Sequence, residues 1–228
     1  MNFLRKLWQE NKGFIIFMGG MFFVRAAFAD FYVVPSSSMY PTLRQGDRVI
    51  ANKLAYDWRL PLSDYVIKKM ADPERGDIVT FISPDDQSTR LVKRLIAVPG
   101  DTVEMRDERL YINGKAAQYQ ALMNLSADQL NPVREYAGKQ QVYQEQWFDV
   151  QHGVIVMPER QAMRDFGPVT VPADSYLMLG DNRDNSRDSR YFGFVKRELI
   201  TGRVSRTLFS LNPDNYYLPR LDRFAAKL

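Results

Sequence analysis

The side chains with chemistry to offer fall in three short segments. The first is Pro35-Ser36-Ser37-Ser38-Met39-Tyr40-Pro41-Thr42, a serine triplet held between prolines. By composition this is a loop whose hydroxyls bond to nearby backbone, and a serine there becomes a nucleophile only if a base is supplied. The second is Lys93, inside the apolar run Leu91-Val92-Lys93-Arg94-Leu95-Ile96. The third runs Gly180-Asp181-Asn182-Arg183-Asp184-Asn185-Ser186-Arg187-Asp188-Ser189-Arg190-Tyr191-Phe192-Gly193. Its oxygen-bearing side chains suggest a calcium loop at first sight. Against that, arginines are interleaved, no glycine stands sixth from Asp181 or Asp184, and the twelfth places are Phe192 and Val195 instead of glutamate. A loop that neutralises itself with Asp–Arg pairs fits better, and such pairs are worth little each when exposed.

Elimination narrows the chemistry. The chain has no cysteine and one histidine, His152, so a thiol nucleophile, cysteine-based metal sites, a disulfide scaffold and histidine-rich metal sites are excluded. No cofactor and no metal are expected. His152 sits in His152-Gly153-Val154 within an ill-defined polar stretch and reads as an ordinary surface histidine. Without an imidazole base, a serine nucleophile needs another proton acceptor, and lysine is the known substitute. A free lysine titrates near 10.4, so only about one amine in a few thousand is neutral at pH 7. Lowering that by roughly three units requires about 4 kcal/mol of differential stabilisation, usually by desolvation in an apolar pocket. Alternation places Leu91, Lys93, Leu95 and Ala97 on one face of a strand, with Val92, Arg94, Ile96 and Val98 on the other. Both faces are otherwise apolar. From the strand alone, both head groups are expected to snorkel to water, and alternation does not say which faces inward.

The elements that must position these residues are mostly strands. With 228 residues, 45% hydrophobic, 25% charged and 13% aromatic, the chain is globular and holds about one and a half domains' worth of residues. Its net charge of +4 shows no basic cluster, so nucleic acid is not an expected partner. Ile78 to Ile82, Arg90 to Val98, Thr102 to Met105, Arg109 to Ile112, Ser175 to Leu179 and Gly202 to Phe209 carry strand composition bounded by turn signals. The stretch from Lys115 to about Pro172 is more polar, with weak strands around Val154 to Met157. At the N-terminus, Arg5, Lys6 and Lys12 precede an apolar run from Gly13 to Val24, interrupted by Arg25. Twelve helical residues rise only about 18 Å, so a span must extend to Val34, with Arg25 snorkelling at the far interface. A cleaved signal peptide is the alternative, since Ala27-Phe28-Ala29 has the small-x-small pattern; the charge at Arg25 favours a retained anchor. The expected architecture is mainly β: an antiparallel β-sheet catalytic core (35–114 and 172–228), an inserted smaller β subdomain (115–171), and one N-terminal transmembrane helix within 1–34.

Taken in order, Ser36-x-Ser38-Met39-x-Pro41-Thr42-Leu43, Arg75-Gly76-Asp77-Ile78-Val79, Lys93-Arg94 with Pro99-Gly100-Asp101, and Gly180-Asp181-Asn182 through Ser186, Asp188-Ser189-Arg190 and Gly193 resemble type I signal peptidase. Ser37 stands where that pattern commonly has glycine. The resemblance implies that Ser38 is the nucleophile and Lys93 the general base. It implies that the Ser36 hydroxyl and the Ser38 backbone N–H form an oxyanion hole, that Ser186 orients the Lys93 amine, and that Asp188, Arg190 and Asp181 brace the loop. Arg94 receives no role. The implied substrates are preproteins with signal peptides, bound as an extended strand and cut after small residues. The implied setting is the cell (inner) membrane, with lipid around a single-pass anchor and the catalytic part outside. Oligomeric state is open. Two other readings stay in view: the self-cleaving Ser-Lys repressors, which carry a DNA-binding segment where this chain has its apolar one, and an anchored β-domain that binds without catalysis.

Overall fold

The structure, a computed structural model, describes residues 2–60, 63, 65–122 and 139–228, with the side chains of 2–7 and 23–27 outside that description. The expected roles of Arg5, Lys6 and Arg25 therefore lie outside the described residues, as does the middle of the polar stretch, 123–138.

Helix α1 runs Asn2–Ala27, and its described apolar side chains, among them Phe14, Ile16, Phe17, Met21 and Phe22, are exposed. Among the described residues no helix is long and apolar enough to cross a membrane. The expected continuation of the helix to Val34 is not what forms. Ala29–Val33 is a strand, β1, paired antiparallel with β2 (Asp47–Asn52). Aromatic and β-branched residues at Phe31, Tyr32 and Val33 suit a pleated surface, and a partner strand supplies ladder bonds that a helix end would lack.

A hairpin, β3 (Asp57–Arg59) with β4 (Val66–Lys69), stands apart from the main sheet. The main sheet is entirely antiparallel, in the order β1, β2, β16 (Ile200–Asn212), β5 (Ile78–Ile82), β6 (Arg90–Ala97), β14 (Ser175–Leu179), β15 (Val195–Lys196), with β17 (Leu218–Pro219) beside β16. The long β16 shifts register on β2 and on β5, and such bulges bend a strand and let the sheet curl. A second sheet contains β7 (Thr102–Arg106), β8 (Arg109–Ile112), β9 (Lys115–Ala116) and β13 (Phe166–Thr170). A third contains β10 (Gln118–Ala121), β11 (Gln141–Trp147) and β12 (Val150–Val156).

Both faces of β5 and β6 are covered. Val79, Phe81 and Leu95 pack with Tyr56, Tyr176 and Met178 on one side. Ile78 packs with Val34, Met39, Leu43, Val49 and Ala51 on the other. Alternation therefore could not separate Lys93 from Arg94: both are buried, at 3% and 6% exposure. The expected snorkelling of both head groups is overturned, because covered faces leave no path to water and each cation instead finds a partner inside.

Phe81 is fully buried in the cluster on the Lys93 side. Phe81→Ala is expected to lower stability by about 3–5 kcal/mol in urea denaturation, and a loss under about 1 kcal/mol would contradict this packing.

Candidate active site

Three pieces of chain meet at Ser38. The loop after β1 carries Ser36, Ser37 and Ser38 and is pinned below by the buried Met39 and Leu43. Strand β6 brings Lys93, whose Nζ donates to Ser38 Oγ at 2.6 Å. Ser36 Oγ lies 3.4 Å from Ser38 Oγ, toward solvent. The polar loop after β14 then grips the serine loop from behind. Asn182 N–H donates to the Ser38 carbonyl at 3.0 Å, the Asn182 amide to the Ser37 carbonyl at 3.1 Å, and the Asn185 amide to Ser37 Oγ at 2.7 Å. Gly180 permits this approach: a Cβ there would collide with the Ser38 carbonyl and the Ser186 side chain.

Burial pulls the Lys93 ammonium from its ordinary 10.5 down to about 8; Asp188 and Asp181 work against that, and Arg190 adds to it. The apolar cluster beneath the strand supplies the desolvation, and the two carboxylates keep it from going further.

Asp188 is held by Arg190, from Nε to Oδ1 and from Nη2 to Oδ2, each at 2.8 Å, and accepts Gly180 N–H at 3.0 Å. It also caps the short helix α2 (Ser189–Phe192). Burial pushes its carboxyl up, but these donors hold it below the usual value. Arg190 completes its bonds on the carbonyls of Arg183 and Met163. Ser186 is buried beside Asp188, and its hydroxyl helps to hold that carboxyl down.

Asp181 reaches outside the loop. It accepts Arg94 Nε at 2.9 Å and Nη2 at 2.7 Å, and Thr42 Oγ1 at 2.5 Å. Burial raises its carboxyl, and Arg94 and Thr42 bring it below the usual value. Arg94, for which the resemblance implied no role, thus ties β6 to the loop, and Thr42 ties in the serine segment. The expected self-neutralising loop is corrected accordingly. Only Arg190 pairs within it; Arg183 pairs with Glu145 of β11, and Arg187 pairs with Asp85. Of these, only Arg187–Asp85 is exposed.

His152 is not a surface residue. It is 7% exposed, with Nδ1 3.4 Å from Asp181 and Nε2 3.2 Å from Glu145. Glu145, fully buried, also accepts both Arg183 Nη atoms, Trp147 Nε1 and the Tyr119 hydroxyl. Burial raises its carboxyl, yet Arg183 and His152 leave it well below the usual range. The polar stretch thereby reaches the loop through one imidazole, a bidentate ion pair and main-chain bonds, among them Ile155 N–H to the Asp181 carbonyl and Met157 N–H to Asp184. Among the described residues no three His, Cys, Asp or Glu side chains converge as a metal site would require.

The arrangement offers a hydroxyl with a desolvated amine against it and a second hydroxyl alongside, suited to acyl transfer. A family model described as "Signal peptidase, peptidase S26" matches residues 7–209. The chain is 33% identical to a signal peptidase I of Pseudomonas fluorescens, covering 94% of this chain and 77% of that protein. It is 32% identical to one from Pseudomonas aeruginosa (90% and 68%) and 35% identical to one from Bacillus amyloliquefaciens (86% and 81%).

The depressed Lys93 value has a stability consequence. In the fold the amine holds its proton less tightly than in the unfolded chain, about 8 against 10.5. Below pH 8 the charged, buried amine therefore costs the fold about 3 kcal/mol, and that cost fades as pH rises toward 10.5. Lys93→Met is expected to be more stable than the parent by up to about 3 kcal/mol at pH 6, with the gain shrinking toward pH 10, by urea denaturation in detergent. A variant no more stable at pH 6 would contradict a desolvated ammonium.

Proposed function

This chain belongs to the signal peptidase (peptidase S26) family, a signal peptidase I type of serine endopeptidase, and we propose on that premise that Ser38 and Lys93 carry its chemistry. The observation that carries the reading is the 2.6 Å contact between Lys93 Nζ and Ser38 Oγ, made by an amine whose burial favours the neutral form. Once Lys93 has lost its proton the bond reverses, and the Ser38 hydroxyl donates to the amine.

Ser38 Oγ attacks the scissile carbonyl of a preprotein while Lys93 takes the hydroxyl proton. The tetrahedral oxyanion faces the Ser38 N–H and the Ser36 hydroxyl, donors set before charge develops. Lys93 then gives its proton to the departing amine, which leaves as the new N-terminus of the mature protein, and the signal peptide stays esterified to Ser38. Water attacks the ester, Lys93 accepts its proton, and collapse of the second oxyanion returns that proton to Ser38 Oγ. Ser186, buried beside Asp188, orients the amine when Ser38 is acylated. Asp188 and Arg190 hold the loop that carries Ser186, and Asp181 holds that loop to β6.

The same reading assigns α1 to a membrane anchor at the cell (inner) membrane, with the catalytic part on the outer side. Its exposed apolar side chains support that assignment. Residues 35–114 and 172–228 serve as the catalytic core, with 115–171 as an insertion in it. The substrate is the preprotein segment that arrives tethered in the same lipid surface.

Ser38→Ala and Lys93→Ala are each expected to reduce preprotein cleavage by roughly 10⁴-fold or more, read as the appearance of mature fragment on a gel. Equal cutting by all three proteins would end the dyad. In the parent, kcat/KM is expected to rise about tenfold per pH unit until Lys93 titrates near about 8, then level off. Ser36→Ala should lose roughly 10²–10³-fold in kcat; unchanged turnover would remove Ser36 from the oxyanion hole.

A further inference from the structure

The peptide unit joining Ser37 to Ser38 carries the Ser38 N–H at one end, and the polar loop holds it by the other. The Ser37 carbonyl accepts two bonds, from Tyr40 N–H and from the Asn182 side-chain amide, each at 3.1 Å. The Ser37 hydroxyl accepts the Asn185 amide at 2.7 Å. The next carbonyl along, that of Ser38, accepts Asn182 N–H at 3.0 Å.

Local geometry brings both asparagines to the same place. Asn182 precedes a single 3₁₀ turn, Arg183–Asn185, and Asn185 N–H returns to the Asn182 carbonyl at 3.0 Å. In such a turn residues three apart eclipse one another, so the two amides reach the serine segment from one side. Asn182 is fully buried and bridges Ile155 of β12 in parallel, with Ile155 N–H on the Asp181 carbonyl at 2.9 Å. The grip on the serine segment is therefore anchored in the third sheet. The sense of the Asn182 amide follows from its partner: reversed, its oxygen would face the Ser37 carbonyl, acceptor against acceptor.

Resting on the function proposed above, we infer that Asn182 and Asn185 are positioning residues of the oxyanion hole, which fix the plane of the Ser37–Ser38 peptide and so aim the Ser38 N–H at the oxygen that becomes charged. A peptide unit is planar and rigid, so holding its carbonyl sets the direction of its N–H. A donor on the carbonyl also polarises the N–H of the same unit. Ser37 adds a point of attachment. Glycine, common here in the signal peptidase pattern, has no hydroxyl to offer Asn185 and more freedom to turn the plane. Among the described residues neither amide bonds to Lys93, so the two serve the stabilisation of charge and leave the proton acceptor alone.

The test follows preprotein cleavage by the full chain in detergent, with the affinity of a peptide aldehyde ending in alanine as a second reading. Ser38 Oγ adds reversibly to that aldehyde, its proton passes to Lys93, and the former carbonyl oxygen enters the hole. Asn185→Ala is expected to lower kcat about fivefold and Asn182→Ala about 30-fold, with KM within about twofold of the parent's, because a donor turned off line weakens a bond made only in the transition state. Aldehyde affinity should fall by similar factors, and the pH at which kcat/KM levels off should stay where the parent has it. Ser37→Ala should match Asn185→Ala, and the two together should lose no more than either alone. The inference is overturned if kcat in both asparagine variants stays within about twofold of the parent's, or falls while aldehyde affinity does not. If Asn182→Ala does not fold, Asn185→Ala, whose side chain is only half-buried, decides by the same readings. Failure of the underlying function would look different: preprotein left uncut by the parent, or equal cutting by Ser38→Ala, which takes this inference down with it.

Discussion

A lysine amine held dry against one serine hydroxyl is the constraint around which the rest of the molecule is arranged. Desolvation is what makes the amine usable near neutral pH, and it is also what makes it costly, since a buried ammonium without compensation opposes folding. The surroundings balance these demands. The apolar cluster of Phe81, Leu95 and Met178 excludes water from the strand that carries Lys93. Asp188 and Asp181 pull the other way, and each is itself neutralised by an arginine. Had the carboxylates stood there unpaired, their charge would have kept the lysine protonated through the working range.

That balance explains why the site is ringed by buried ion pairs when exposed ones would have been easier to build. Arg94–Asp181, Arg190–Asp188 and Arg183–Glu145 are all nearly inaccessible. A buried pair gains little net stability over an apolar isostere, but removing one partner strands a charge. Each pair therefore acts as a register lock. Arg94 fixes the polar loop to β6, Thr42 fixes the serine segment to the same carboxylate, and Glu145 with His152 fixes the third sheet to both. Any slip of one segment against another would leave at least one charge without its partner.

The strands that position the site were legible where their composition is plain. Ile78–Ile82, Ser175–Leu179 and the inner part of Arg90–Ala97 are largely buried runs bounded by turns, and the hairpin of β7 and β8 turns at Asp107 and Glu108, both in the left-handed region. The serine, the lysine and the acidic loop were legible as separate chemical oddities. What joins them was not. β1 looked like the end of a helix because an apolar, aromatic segment suits either state, and its partner β2 lies beyond the serine loop. β11, Gln141-Val-Tyr-Gln-Glu-Gln-Trp147, looked solvated because a glutamate among glutamines gives no sign that Arg183 will reach it. The same holds for His152, which sits between Glu145, opposite it in the β11–β12 hairpin, and Asp181, distant in sequence from both.

The third sheet also shows where this molecule tolerates added chain. β10 and β11 close on one another by direct pairing, with Ala121 opposite Tyr143 and Leu122 N–H on the Val142 carbonyl. Whatever the chain does between them, its two ends leave and re-enter at one point. Each doubling of such a connection costs only about 0.6 kcal/mol in closure entropy. The span from 123 to 138 is thus a natural graft point, where a fluorescent reporter or an affinity tag could be spliced in while the ladder that seats Glu145 keeps its register.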